Sequence, residues 1–191
     1  MKIKEITYVA LFAAIMGVLG LMPPITLSFT PVPITLQTLG VVLAGGILGA
    51  RLGALSIIVF LLLVACGMPL LSGGRGGIGV FFGPSAGYLI GYPIAAFCIG
   101  FIFSKIRTLK FRHILGTNLT VGIFTVYLTG IPVQALMMDL PLAETIKLSL
   151  VYLPGDIIKA SIASVLVYRL QKYPIIYRNF AKAVPSQVKE G

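Results

Sequence analysis

The chain has 191 residues, 58% of them hydrophobic and 10% charged, with a mean hydropathy of +1.03 and a formal net charge of +10. Soluble domains carry about 25% charged residues, so the composition excludes one and predicts an all-α integral membrane protein, a single membrane domain over residues 1–191. The surplus of Lys and Arg does not mark a nucleic-acid partner, because it gathers at the chain ends and in alternate connections between apolar stretches.

Each transmembrane helix needs about 20 apolar residues, and the chain offers six such stretches, at 6–22, 34–50, 52–66, 84–104, 114–132 and 148–168. The opening Met1-Lys2-Ile3-Lys4 and the apolar run behind it resemble a signal peptide. No small-x-small cleavage site closes that run, so it is read as a retained first helix. Within it Ala10 and Ala14, and Ala13 and Gly17, stand four apart, a pattern that lets another helix approach closely. That face serves either internal packing or docking to another membrane subunit.

Pro23-Pro24 ends the first span, and an uncharged loop with Pro31 and Pro33 follows. Its prolines favour a stiff, extended path suited to a lid over a site. Thr35, Gln37 and Thr38 then open the second span; polar groups at that depth turn inward to hydrogen-bond either a neighbouring helix or a ligand. Gly49-Ala50-Arg51 forms a tight turn between the second and third spans. After the third span comes Gly73-Gly74-Arg75-Gly76-Gly77. The glycines there, Gly74 and Gly76 above all, free the backbone for a close approach to a ligand, with a flexible tether as the alternative. The run lacks the Gly-Lys-Ser/Thr ending of a phosphate-binding loop.

Gly87 and Gly91 give the fourth span a close-packing face, and Tyr88 and Tyr92 sit near its outer end as interface anchors or pocket walls. A basic run at 105–113 closes its inner end, and the fifth span carries Asn118 and Thr120. Asp139 and Pro141 are placed to cap a short outer helix. The last span opens Leu153-Pro154-Gly155-Asp156-Ile157-Ile158-Lys159, with Asp156 and Lys159 three apart on one helical face.

Lys2, Lys4, Arg51, Lys105, Arg107, Lys110, Arg112, Arg169, Lys172, Arg178, Lys182 and Lys189 all fall on one side of a six-span chain, which predicts both termini in the cytoplasm. The opposite side holds only Arg75, Asp139, Glu144 and Lys147. The two cysteines, Cys66 and Cys98, read as small buried hydrophobes, and one loop histidine, His113, completes no metal site.

Charges in apolar spans are expensive enough to mark function by default. Asp156, Lys159 and Arg75 therefore define a candidate site for a ligand with an anionic end and a hydrogen-bond-donating end; a purely structural Asp156–Lys159 pair in a membrane scaffold is the competing reading. No nucleophile with a base and an orienting group is present in the sequence, which argues against an enzyme.

The run 153–159, the Gly-Gly-Arg-Gly-Gly at 73–77, the Pro-Val-Pro-Ile-Thr-Leu-Gln at 31–37 and the Ala-xxx-Ala of the first helix resemble the BioY family, the substrate-binding S components of energy-coupling factor (ECF) vitamin transporters. The resemblance covers nearly the whole chain. It implies a multi-pass protein of the cell membrane with six helices, whose ordered outer loops cover a high-affinity site for biotin. No cofactor is implied, and the partners are a membrane coupling subunit and two ATPase subunits. It further implies that Asp156 and Lys159 belong to the biotin site, that Arg75 lies in the loop covering it, and that Ala10 and Ala14 face the coupling subunit. An S component for another vitamin is the nearest alternative.

Overall fold

The computed structural model describes residues 2–28, 30–106 and 108–170. Of the basic residues that set the expected topology, Arg107, Lys172, Arg178, Lys182 and Lys189 lie outside the described residues.

Helix α1 spans Ile3–Leu21, its start stabilised by the Glu5 carboxylate, which accepts the Lys2 backbone N–H at 3.0 Å. Pro23-Pro24 stops it. The stiff loop expected next is a β-hairpin, β1 (Ile25–Leu27) against antiparallel β2 (Thr30–Ile34), paired as Ile25 with Ile34 and Leu27 with Thr30. Pro31 and Pro33, which have no N–H to donate, are not among the paired residues of β2, and the register of the hairpin shifts between Ile25 and Leu27.

Helix α2 covers Gln37–Ala65 but is interrupted at Gly49, where φ is 79° and ψ −177°. A Cβ added at Gly53 would lie 2.7 Å from the Ala44 carbonyl oxygen. In a continuous helix those residues would stand about 13 Å apart along the axis, so the two limbs fold back on each other at the turn the sequence predicts. Among the described residues, five stretches have the length and apolarity to cross a membrane: Ile3–Leu21, Gln37–Ala65, Ala86–Lys105, Phe111–Met138 and Leu142–Leu170. The sequence predicts six because it separates the limbs of α2, whereas the backbone departs from helical geometry there at a single residue.

Helix α3 (Ala86–Lys105) packs closely on α2: a Cβ at Gly45 would meet the Ala96 carbonyl oxygen at 2.5 Å. Helix α4 (Phe111–Thr117) runs through a π turn, Asn118–Gly122, into α5 (Ile123–Met138). Asp139 does not cap the next helix as expected. It ends α5 in a left-handed conformation (φ 53°), its N–H bonded to the Ala135 carbonyl, and Pro141 occupies the position before α6 (Leu142–Ser149). A single 3₁₀ turn at Leu150–Tyr152 then leads into α7 (Leu153–Leu170), so the last predicted span begins as a separate short helix.

Met16, Ile57, Phe60, Val64 and Ala95 form the main core, and Ile99, Phe103, Ile114, Ala163 and Val167 a second cluster. Large apolar side chains such as Val18, Leu62, Phe124, Leu128 and Ile158 point outward, as lipid-facing positions do. Cys66 is exposed and Cys98 half-buried, so neither is the fully buried thiol the sequence predicts.

Candidate functional site

Pro154 lacks the N–H that the first helical turn leaves unbonded in any case, so α7 can begin immediately before Asp156. Asp156 and Lys159 are both largely buried, and Lys159 Nζ lies 2.7 Å from Asp156 Oδ1. The Thr38 hydroxyl donates to the same oxygen at 3.2 Å and the Tyr127 hydroxyl to Oδ2 at 2.8 Å, while Lys159 also donates to the Thr35 carbonyl at 2.8 Å. A carboxylate accepts about four hydrogen bonds and an ammonium donates three. The cluster thus retains one acceptor and one donor side by side, a match for a neutral group that presents N–H next to C=O.

Arg75 reaches the same cavity from a glycine-rich loop. Leu71 and Arg75 exchange backbone hydrogen bonds of 3.0 and 3.2 Å, and Gly73 (φ 80°) and Gly74 (φ 69°) make the left-handed turn between them. The guanidinium is steadied by its Nε–H, which donates to the Ser72 carbonyl at 3.2 Å. Among the described residues Asp156–Lys159 is the one ion pair, so Arg75 brings a charge with no carboxylate beside it.

The cavity opens to the surface and is walled by the β2–α2 junction, the glycine-rich loop, α3, α5 and the start of α7. Asp156, Lys159, Arg75, Tyr88, Gln37 and Thr35 all line it; Gly74 and Gly76 do not. Their role is in the loop itself, since a Cβ at Gly76 would run into the Met68 carbonyl and Gly74 has positive φ. Gln37 is committed as well, its amide donating to the Leu70 carbonyl at 3.2 Å and so tying the loop to the start of α2. Among the described residues no group of His, Cys, Asp and Glu could hold a metal ion.

Three neighbours of this site escaped the sequence analysis. Tyr127 and Tyr152 stand edge-on to Tyr88, with ring centroids 6.2 and 6.4 Å away, and the Tyr88 hydroxyl donates to Gln134 at 2.7 Å. Tyr152 bonds Thr30 and so joins the β-hairpin to the entry of α7. A phenol in the middle of an apolar span was the available signal for Tyr127.

On α1, Ala13 and Gly17 are buried against the rest of the chain, with a Cβ at Gly17 3.3 Å from the Leu70 side chain, while Ala10 and Ala14 are exposed. Of the four small residues singled out in the sequence, Ala10 and Ala14 are thus open to a neighbour, whereas Ala13 and Gly17 are packed within the chain.

A family model described as the BioY family matches residues 1–174. The chain is 52% identical over 170 residues to a probable biotin transporter BioY of Bacillus subtilis strain 168, covering 89% of this chain and 91% of that one. It is 42% identical to a biotin transporter BioY of Rhizobium etli, covering 87% and 92%. Among solved structures it resembles the S-component for biotin from an ECF-type ABC transporter, a crystal structure at 2.1 Å, with a TM-score of 0.89, 37% identity and coverage of 93% of this chain and 96% of the other.

Proposed function

The chain belongs to the BioY family, and we propose that it is the biotin-capturing membrane subunit of an ECF-type importer rather than an enzyme. Biotin carries a cyclic urea at one end and a carboxylate at the other. The observation that supports this reading is one cavity holding a net-neutral Asp156–Lys159 pair, with one acceptor and one donor left over, and a separate, uncompensated Arg75. Charge matching then divides the work between them. Asp156 accepts a urea N–H and Lys159 donates to the urea oxygen, which needs no net charge from the wall, while Arg75 takes the carboxylate.

The protein is a multi-pass protein of the cell membrane. In the proposed topology the α2 limbs on either side of Gly49 cross separately, giving six crossings with both termini cytoplasmic. Lys2, Lys4, Arg51, Lys105, Lys110 and Arg112 then lie on the inner side, in keeping with the preference of cytoplasmic loops for Lys and Arg. The chain has no Gly-Lys-Ser/Thr phosphate-binding motif, so the energy for import comes from partners, a transmembrane coupling subunit and two ATPase subunits. The exposed Ala10 and Ala14 are the proposed contact with the coupling subunit.

Equilibrium binding to the purified protein tests the capture function. Saturable binding of biotin, with none of thiamine or riboflavin, is expected; absence of biotin binding overturns the reading. For the partner face, Ala10→Trp and Ala14→Trp should abolish uptake and assembly while biotin binding persists. Equal loss of binding would place both residues in the internal packing of the chain.

A further inference from the structure

Two cavities meet at the Asp156 cluster. Behind the candidate site lies a second, almost wholly apolar one between α2, the π turn with the start of α5, and α7, walled by Val41, Val42, Gly122, Ile123 and Ala160. Thr38, Val126, Tyr127, Asp156 and Lys159 line both and form the partition between them. Three members of that partition are fixed by the ion pair and its hydrogen bonds. Tyr127 is the largest side chain in it. Its hydroxyl is held by Asp156 Oδ2 and its ring stands edge-on to Tyr88, so the ring cannot swing aside without giving up both contacts.

We propose that Tyr127 is a specificity-determining residue, whose ring seals the apolar cavity from the polar ring of the ligand. A ligand with bare N–H groups at Asp156 stops at the wall and is bound; one bearing an alkyl group there overlaps the Tyr127 ring and is rejected. The seal is needed because an apolar hole beside the urea would otherwise reward an added methyl group. The hydroxyl explains why the residue is Tyr: it locks the ring to the carboxylate it shields. This inference rests on the biotin reading above and adds to it a steric limit on the ligand.

The test is the ratio of dissociation constants for biotin and for biotin methylated on a ureido nitrogen, measured on the full-length purified protein with folding followed by thermal unfolding. Wild-type protein should prefer biotin. Tyr127→Phe keeps the ring, so biotin binding should weaken by about tenfold for the lost hydrogen bond while the preference stays. Tyr127→Val joins the cavities and should narrow the preference by about tenfold or more. Adding Ala160→Val, which refills the inner cavity, should restore it. If Tyr127→Val fails to fold, Tyr127→Leu takes its place, with a smaller narrowing expected. The inference is overturned if wild-type protein shows no preference, if the shortened variant keeps the wild-type ratio, or if Tyr127→Phe narrows it equally, since the hydroxyl and not the ring would then be responsible. Wild-type protein that binds no biotin overturns the function itself, and the inference with it.

Discussion

The first turn of α7 and the glycine-rich loop of residues 67–77 deliver charge to the same cavity by opposite means. On α7 the charges are built into a rigid helix and satisfied within the protein, with Asp156 bound by Lys159, Thr38 and Tyr127 and Lys159 also by Thr35. On the loop a single Arg is carried by a backbone that takes positive φ at Gly67, Gly73, Gly74 and Gly77, and its charge has no carboxylate partner among the described residues. Burying a charge in a membrane protein is tolerable when it is paired, which permits the α7 pair to sit deep. An unpaired Arg is tolerable where a mouth admits water until an anion arrives. One region is preorganised and neutral overall; the other carries a charge that, in the proposed function, the ligand's carboxylate balances.

The largest expected effect breaks the satisfied side. Asp156→Ala leaves Lys159 buried without its counter-ion and should cost about 3–5 kcal/mol of stability, together with loss of biotin binding, seen by thermal unfolding and titration calorimetry. The double variant Asp156→Asn with Lys159→Gln, which removes both charges, should unfold later than Asp156→Ala yet still fail to bind.

Arg75→Ala should do the reverse. No internal ion pair is lost, so the unfolding midpoint should stay near that of the unsubstituted protein, while biotin affinity falls by about 1.5–3 kcal/mol, the worth of a hydrogen bond to a charged group. The amide of biotin, which has no negative charge, separates the two regions. Unsubstituted protein should bind it more weakly than biotin, and Arg75→Ala should bind the two alike. If Arg75→Ala still prefers the acid, Lys159 takes the carboxylate and the division of labour is reversed.

What the sequence makes legible follows from the same contrast. Asp156, Lys159 and Arg75 stand out because charge in apolar sequence has few innocent explanations, and the cavity does collect them with Thr35, Gln37 and Tyr88. Tyr127 and Tyr152 do not stand out, because a lone tyrosine reads equally as an interface anchor; only the approach of α5 and the α6–α7 junction to Tyr88 gives them a role. The turn at Gly49 is legible from its glycine and the Arg that follows, whereas the β1–β2 hairpin hides behind prolines whose alternation is compatible with an edge strand. On α1 the spacing reveals small residues but not which stripe faces inward, since that depends on where Leu70 packs against Gly17.

The smallest expected effect measures how much of the α7 geometry each support supplies. Thr38 donates to Asp156 Oδ1 at 3.2 Å, beside the shorter 2.7 Å contact from Lys159 to the same oxygen. Thr38→Val keeps the shape and removes only the donor, so the carboxylate retains both Lys159 and Tyr127. Biotin affinity should fall by about 0.5–1.5 kcal/mol, less than the worth of a hydrogen bond to a charged group because the 3.2 Å contact is long and reaches the ligand only through the carboxylate, with discrimination between biotin and its amide unchanged because Arg75 is untouched. A loss as large as that of Asp156→Ala would mean that the carboxylate swings once any one support is gone. The α7 turn would then be no more preorganised than the loop opposite it.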